Sequence, residues 1–179
     1  MGRLLRLVIR LAPFAVSAAW LADRWLHDRV AGASPRPIHT FVAVDAPIER
    51  VWAILSDIER QPEWMHDLKS VRLATPPPVG AGTRAVGRVR VMGISVEDPV
   101  EVTAFEPPTH FAIRHKGLIR GGGDIRLAPG ADGTSTVVTW DETLIPPLLP
   151  HLGAFVLGLT FEPIFRRDLE RLAWIVEGG

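Results

Sequence analysis

From Ile38 onward the chain changes hydrophobic rhythm several times, and each change predicts an element. HTFVAV, residues 39–44, is a short run of β-branched and aromatic residues and predicts a strand. Ile48, Val51, Trp52, Leu55 and Ile58 then recur at spacings of three and four, with Glu49, Arg50 and Asp57 off the stripe, which predicts an amphipathic helix. Asp45 is placed to act as its capping acceptor, and Pro47 falls in the first turn, where a missing N–H costs nothing. That helix must stop before Pro62, because the residue ahead of a proline avoids helical angles. Trp64, just past the corner, folds back under it as core packing, the role also expected of Trp52.

Period-two segments follow: Ser70 to Ala74, Thr83 to Met92, Val96 to Phe105, His110 to Lys116, Ile119 to Leu127 and Thr134 to Leu144. The turn signals PPPVGAG, MG, EPP, KG and PGADG separate them, so these six predict an antiparallel meander, seven strands with the first. From about Leu148 to Val176, Leu152, Phe155, Leu159, Leu169, Leu172 and Val176 fit one helical stripe, and Pro163 is expected to kink or divide it. The order is α+β: a curved seven-stranded antiparallel sheet wrapped around a long C-terminal helix, with two short helices after the first strand. A sheet curved in this way leaves a cavity.

The N-terminal segment departs from this pattern. Its uninterrupted apolar run, Leu11 to Ala22, is twelve residues long and contains Pro13, too short to span a bilayer, which takes about 20. Arg3, Arg6 and Arg10 share one side of a helical projection, as in a basic helix lying in a membrane interface. Two other readings remain: a secretory signal with Ala31-Gly32-Ala33 as cleavage site, or a helix docked on its own domain. The expected division is therefore a basic apolar helix over residues 1–30, a linker over 31–37 and one globular domain over 38–177.

Charge and composition narrow the chemistry. Twenty Lys plus Arg balance twenty Asp plus Glu, so no global field attracts nucleic acid. Cysteine and tyrosine are both absent, which removes disulfides, thiol catalysis and phenolic acids or bases. No pair among the six histidines has ligand spacing, so neither a metal nor another cofactor is expected. A GxSxG elbow is also missing.

Four stretches occur in a telling order: DAPIERVWAILSDIERQPEW at residues 45–64, VGAGTR at 79–84, EVTAFEPPTHFAIRH at 101–115 and DGTSTVVTW at 132–140. With them the chain resembles the START-like, or SRPBCC, superfamily, and within it the polyketide cyclase/dehydrase and lipid-transport-like group, over roughly residues 38–177. The resemblance implies a helix-grip fold with an elongated apolar pocket between sheet and C-terminal helix. It further implies binding of lipids, sterols or polyketide intermediates, with a minority of relatives acting as enzymes.

Strand alternation marks which polar groups share the pocket face. Asp98 goes with Val100 and Val102, His115 with Phe111 and Ile113, and Trp140 and Glu142 with Val138. On the last helix Phe155 and Leu159 are expected to line the pocket. His115 and Glu142, expected on neighbouring strands, are the acid/base candidates for an aldol cyclisation or dehydration. Arg84, Arg88 and Arg90 are expected on a solvated outer face, and Arg166, Arg167, Asp168, Glu170 and Arg171 on the solvated side of the last helix. Gly121-Gly122-Gly123 lacks any phosphate-binding arrangement and predicts a bulge or sharp bend. An apolar pocket face with few polar groups points to binding or transport of a hydrophobic molecule or lipid, with residues 1–29 as a peripheral membrane contact. Such a protein would be cytoplasmic and membrane-associated, or else exported or anchored through its first residues. The alternatives are a cyclase-type enzyme and a non-catalytic partner-binding protein.

Overall fold

The computed structural model describes residues 2–29, 34–91 and 93–179; residues 31–33 of the expected linker, Met92 and the surroundings of Arg3, Arg6 and Arg10 lie outside the described residues. In chain order the elements are α1 (Gly2–Arg29), β1 (Ile38–Val44), α2 (Ile48–Leu55), a 3-10 helix (Ile58–Glu63), β2 (Leu68–Leu73), β3 (Arg84–Val91), β4 (Ile94–Glu106), β5 (His110–His115), β6 (Arg120–Pro129), β7 (Thr136–Ile145) and α3 (Pro150–Glu177). The seven strands form one antiparallel sheet ordered β1-β7-β6-β5-β4-β3-β2, a meander closed by the return of β1 beside β7. Together with α3 and the short helices it makes a helix-grip fold.

The period-two reading follows from where these strands face. Along β7, Thr136, Val138, Trp140 and Glu142 are buried while their neighbours are half-buried, so each strand turns alternate side chains into the concavity. The main core lies under β1, β7 and β6, where Val44, Val51, Leu55, Val138, Leu169, Leu172 and Val176 are all completely buried. Thr136 anchors the chain before α2 by donating its hydroxyl to the Ala46 carbonyl at 2.7 Å.

Three local expectations need correction. Asp45 does not cap α2: the cap is Pro47 without a side-chain bond, and the Asp45 N–H instead donates to Glu177 at the end of α3, at 2.9 Å. Pro163 does not divide the last helix, since it removes only its own backbone donor while Phe161, Ile164 and Phe165 stay seated in the domain on either side of it. The glycine triplet is not a bulge, because neither register shifts across it: β6 pairs with β7 continuously from Arg120↔Ile145 to Pro129↔Thr136, and β5–β6 pairing lapses at Gly122 and Gly123 but resumes in the same register at His115↔Gly121. Its glycines allow backbones to close in: Gly121 sits at φ 114°, and a Cβ there would meet the Thr143 carbonyl oxygen at 2.0 Å.

Among the described residues, α1 is docked through its C-terminal end. The buried Asp23 carboxylate accepts the N–H groups of His151 at 2.9 Å and Leu152 at 2.7 Å, supplying the N-terminal cap that Leu149, left-handed at φ 55°, cannot give α3. His27 Nδ1 lies 3.1 Å from His151 Nε2 beside it. Ala12 to Ala18, by contrast, are exposed all round. No described helix is long and apolar enough to cross a membrane.

Candidate ligand-binding cavity

Between the concave face of the sheet, the 3-10 segment and the first half of α3 lies a cavity of about 360 Å³, within the usual size range of small-molecule sites. Val100 and Val102 of β4, Phe111 and Ile113 of β5, Ile125 of β6 and Leu144 of β7 give it apolar walls. α3 contributes Leu157, Phe161, Ile164, Phe165 and Asp168, and the 3-10 corner contributes Ile58, Gln61, Trp64 and Met65. The Pro-Glu-Trp corner therefore turns the Trp64 ring into the cavity wall, where it meets Trp140 edge-on at 6.1 Å.

One polar cluster interrupts this surface. His115, near the end of β5, lies between Asp98 of β4, Nδ1 to Oδ2 at 2.7 Å, and Glu142 of β7, Nε2 to Oε1 at 2.9 Å. The second oxygen of Glu142 accepts the Trp140 indole N–H at 2.9 Å, so this buried carboxylate has both oxygens satisfied. Both ring nitrogens of His115 face carboxylates, which only accept, so keeping both bonds requires the imidazolium. Burial pushes the imidazole pKa down, but the hydrogen bonds and charges of Asp98 and Glu142 outweigh it and raise it to about 10. The ring is thus cationic at neutral pH, with each N–H already donated.

Gly123 makes the cluster fit. It stands opposite Glu142 in the β6–β7 register, and a Cβ there would come within 2.5 Å of Glu142 Oε2 and 3.1 Å of Trp140 Nε1. Absence of a side chain at this one position leaves space for the indole–carboxylate contact.

Of the residues singled out from the sequence, Asp98, Phe111, Ile113, His115, Trp140 and Glu142 all stand on the cavity wall. Val138 does not: two residues before Trp140 on β7, it is completely buried in the core beyond the cavity's end. Phe155 and Leu159 do not either, being 63% and 64% exposed. The cavity-facing positions of α3 are 157, 161, 164, 165 and 168, a stripe at helical spacing that leaves 155 and 159 on another side of the helix. Asp168 is a second correction, for it is 3% exposed rather than solvated. Its Oδ1 accepts the His66 N–H at 2.8 Å, yet burial raises its carboxyl to about 6. Arg84, Arg88 and Arg90 are exposed as expected.

Sequence reasoning missed Gln61, Met65 and Asp168 as cavity residues and took Trp64 for plain core. Trp64 is 2% exposed, and its indole N–H has no partner among the described residues. The position of Asp168, four after Ile164 and seven after Phe161, was its only sequence signal. Among the described residues no group of three or more His, Asp and Glu is arranged to hold a metal ion.

A curved antiparallel sheet gripping a helix around an apolar cavity defines a ligand-binding fold of the START-like kind. Residues 37–177 match the family model described as polyketide cyclase / dehydrase and lipid transport, and the chain belongs to that family. Solved structures share the fold at low identity. The Zhui aromatase/cyclase from Streptomyces sp. R1128 is 20% identical with a TM-score of 0.63, over 79% of this chain and 93% of that one. A START superfamily protein from Mycobacterium smegmatis is 21% identical with a TM-score of 0.56, over 80% and 95%. A protein from Thermus thermophilus is 20% identical with a TM-score of 0.63, over 78% and 96%. No curated protein matches the sequence significantly.

Proposed function

We propose that the chain holds or ferries a hydrophobic small molecule or lipid in this cavity without transforming it, residues 38–177 forming the binding domain. The observation that carries this reading is an apolar cavity in which the one histidine is fully engaged: His115 spends both N–H groups on Asp98 and Glu142. A general base needs a free lone pair aimed at its substrate, and the His115 ring has none. Peripheral membrane contact through residues 1–29 belongs to the same reading. Its support is the exposed apolar surface of α1, with Phe14 75%, Val16 68%, Leu21 59%, and Trp20 and Trp25 each 55% exposed. Native mass spectrometry of the full chain, followed by denaturing extraction, tests the main claim: a stoichiometric apolar adduct is expected, and a uniformly bare chain that also fails to take up any apolar probe overturns it.

A second reading, catalysis of the cyclase type, is favoured by the His115–Glu142 contact at 2.9 Å inside the cavity. There the imidazolium would act as an acid towards a carbonyl oxygen after releasing one carboxylate. Loss of turnover of a poly-β-ketone substrate in Glu142→Gln, with apolar probe affinity retained, would establish it.

A further inference from the structure

The charges around the cavity are lopsided. Asp67, Glu97, Asp98, Glu142 and Asp168 contribute carboxylates to its lining, and among the described residues His115 is the single basic side chain there, with no lysine or arginine beside it. That one cation is spent, because both of its N–H groups are already held by carboxylates. Nothing charged is left to meet an anionic headgroup, and burying an unpaired anion in an apolar site costs far more than burying a hydrogen-bonded neutral group.

One polar atom of the wall keeps an open hydrogen-bonding position instead. Asp98 uses Oδ2 for His115, and its Oδ1 has no hydrogen-bonding partner among the described residues, although the side chain is only 20% exposed and stands on the cavity wall. The Trp64 indole N–H also lacks a partner among the described residues, but that atom is fully buried and offers nothing to a ligand. An open acceptor oxygen beside surplus negative charge calls for a donor.

We propose that the cavity selects apolar molecules whose polar end donates hydrogen bonds, a hydroxyl or an ammonium, with Asp98 Oδ1 as the receiving atom, and discriminates against apolar carboxylates and phosphates. The inference rests on the ligand-binding reading and names the ligand chemistry of that site. It sets fatty acids and anionic phospholipids aside and keeps alcohols, phenols and amines.

The test uses the full chain, a neutral fluorescent probe, N-phenyl-1-naphthylamine, and three competitors of one chain length, dodecan-1-ol, dodecylamine and dodecanoate, below their micelle-forming concentrations at pH 7.5. The alcohol or the amine should displace the probe at concentrations at least tenfold lower than dodecanoate. Which of the two is stronger separates a hydroxyl-reading site from an ammonium-reading one. Asp98→Asn should compress that gap towards unity, mostly by weakening the amine. Because Asp98 also holds His115, the wild-type ranking remains decisive should the variant fail to fold. Dodecanoate competing as well as or better than the alcohol and the amine overturns the proposal while leaving the cavity reading intact. A probe that finds no site at all removes the cavity reading and the proposal with it.

Discussion

The two halves of α3 are built from similar amounts of apolar sequence and meet opposite fates. From Phe165 to Val176 the helix is a core element, with Phe165, Leu169, Leu172, Ala173 and Val176 buried and Arg166, Arg167, Glu170 and Arg171 exposed. From Pro150 to Ile164 no residue is buried at all. One side there faces the cavity through Leu157 and Phe161, and the other shows Phe155, Val156 and Leu159 to the outside. An amphipathic helix has one face to satisfy, whereas a helix apolar on all sides needs cover on all of them. The second half rests on a packed core; the first has the cavity on one side and open surface on the other. The difference assigns core packing to the second half and one side of the cavity to the first.

The largest expected effect lies in the stabilising half. Leu172→Ala removes a completely buried side chain from a packed site and should cost about 3 kcal/mol in urea unfolding. Leu157→Ala, on the cavity side, should cost less than a third as much, because it enlarges a space that already exists.

Asp168 stands at the border between the halves, and its effect depends on pH. Its carboxyl is raised to about 6 from an ordinary 3.8, so the folded protein binds that proton more tightly than the unfolded chain does. The cost of holding the ionised form is therefore complete above the folded value, shrinks as pH falls through 6 and vanishes below 3.8. A shift of about two units corresponds to roughly 3 kcal/mol at most. Asp168→Asn keeps an oxygen for the His66 N–H and should raise unfolding stability by about 2 kcal/mol at pH 8, with little change at pH 4. Equal gains at both pH values would show that the ionised carboxylate is not what strains this border.

Asp23→Ala probes the first half from outside. It leaves the N–H groups of His151 and Leu152 without their acceptor, so the opening turn of α3 should fray and α1 should lose its attachment. The expected cost is about 1 kcal/mol, with amide exchange accelerated at residues 150–156 and unchanged beyond Phe165. Acceleration along the whole helix would mean that the halves unfold as one unit.

The sequence conveys the sheet and the sidedness of its strands well, and conveys the sidedness of α3 poorly. In β7 the alternation of Val138, Trp140 and Glu142 leaves only two faces to choose between, and one apolar neighbour settles the choice. This is how Asp98, His115 and Glu142, far apart in the chain, could be assigned to one wall. Along the first half of α3 the stripe through Phe155 and Leu159 and the stripe through Leu157 and Phe161 are equally apolar and equally periodic. Only the position of the sheet decides between them, and periodicity holds no record of that. Val138 failed for a different reason: strand parity fixes a face but not how far along that face the cavity extends. Asp168 was hidden by its neighbours, since a carboxylate among Arg166, Arg167, Glu170 and Arg171 reads as one more surface charge.

The smallest expected change in stability comes from the outer side of the first half. Phe155 and Leu159 are each more than 60% exposed, so replacing both by serine removes little buried area and should alter unfolding by less than about 0.5 kcal/mol. Their value lies elsewhere if this side rests on a bilayer. α1, docked beside the start of α3, exposes Trp20 and Trp25 with Arg24 5.9 Å above the first ring and Arg29 4.5 Å above the second, a pairing of aromatic and cationic groups suited to the headgroup region. Flotation with vesicles containing a quarter phosphatidylserine should then show Phe155→Ser/Leu159→Ser binding severalfold more weakly than the unaltered chain, at equal stability. Unchanged flotation would confine membrane contact to α1. A stability loss above 1 kcal/mol would instead mean that this side is covered in the protein's working state, and the contrast between the two halves of α3 would give way to a helix buried from end to end.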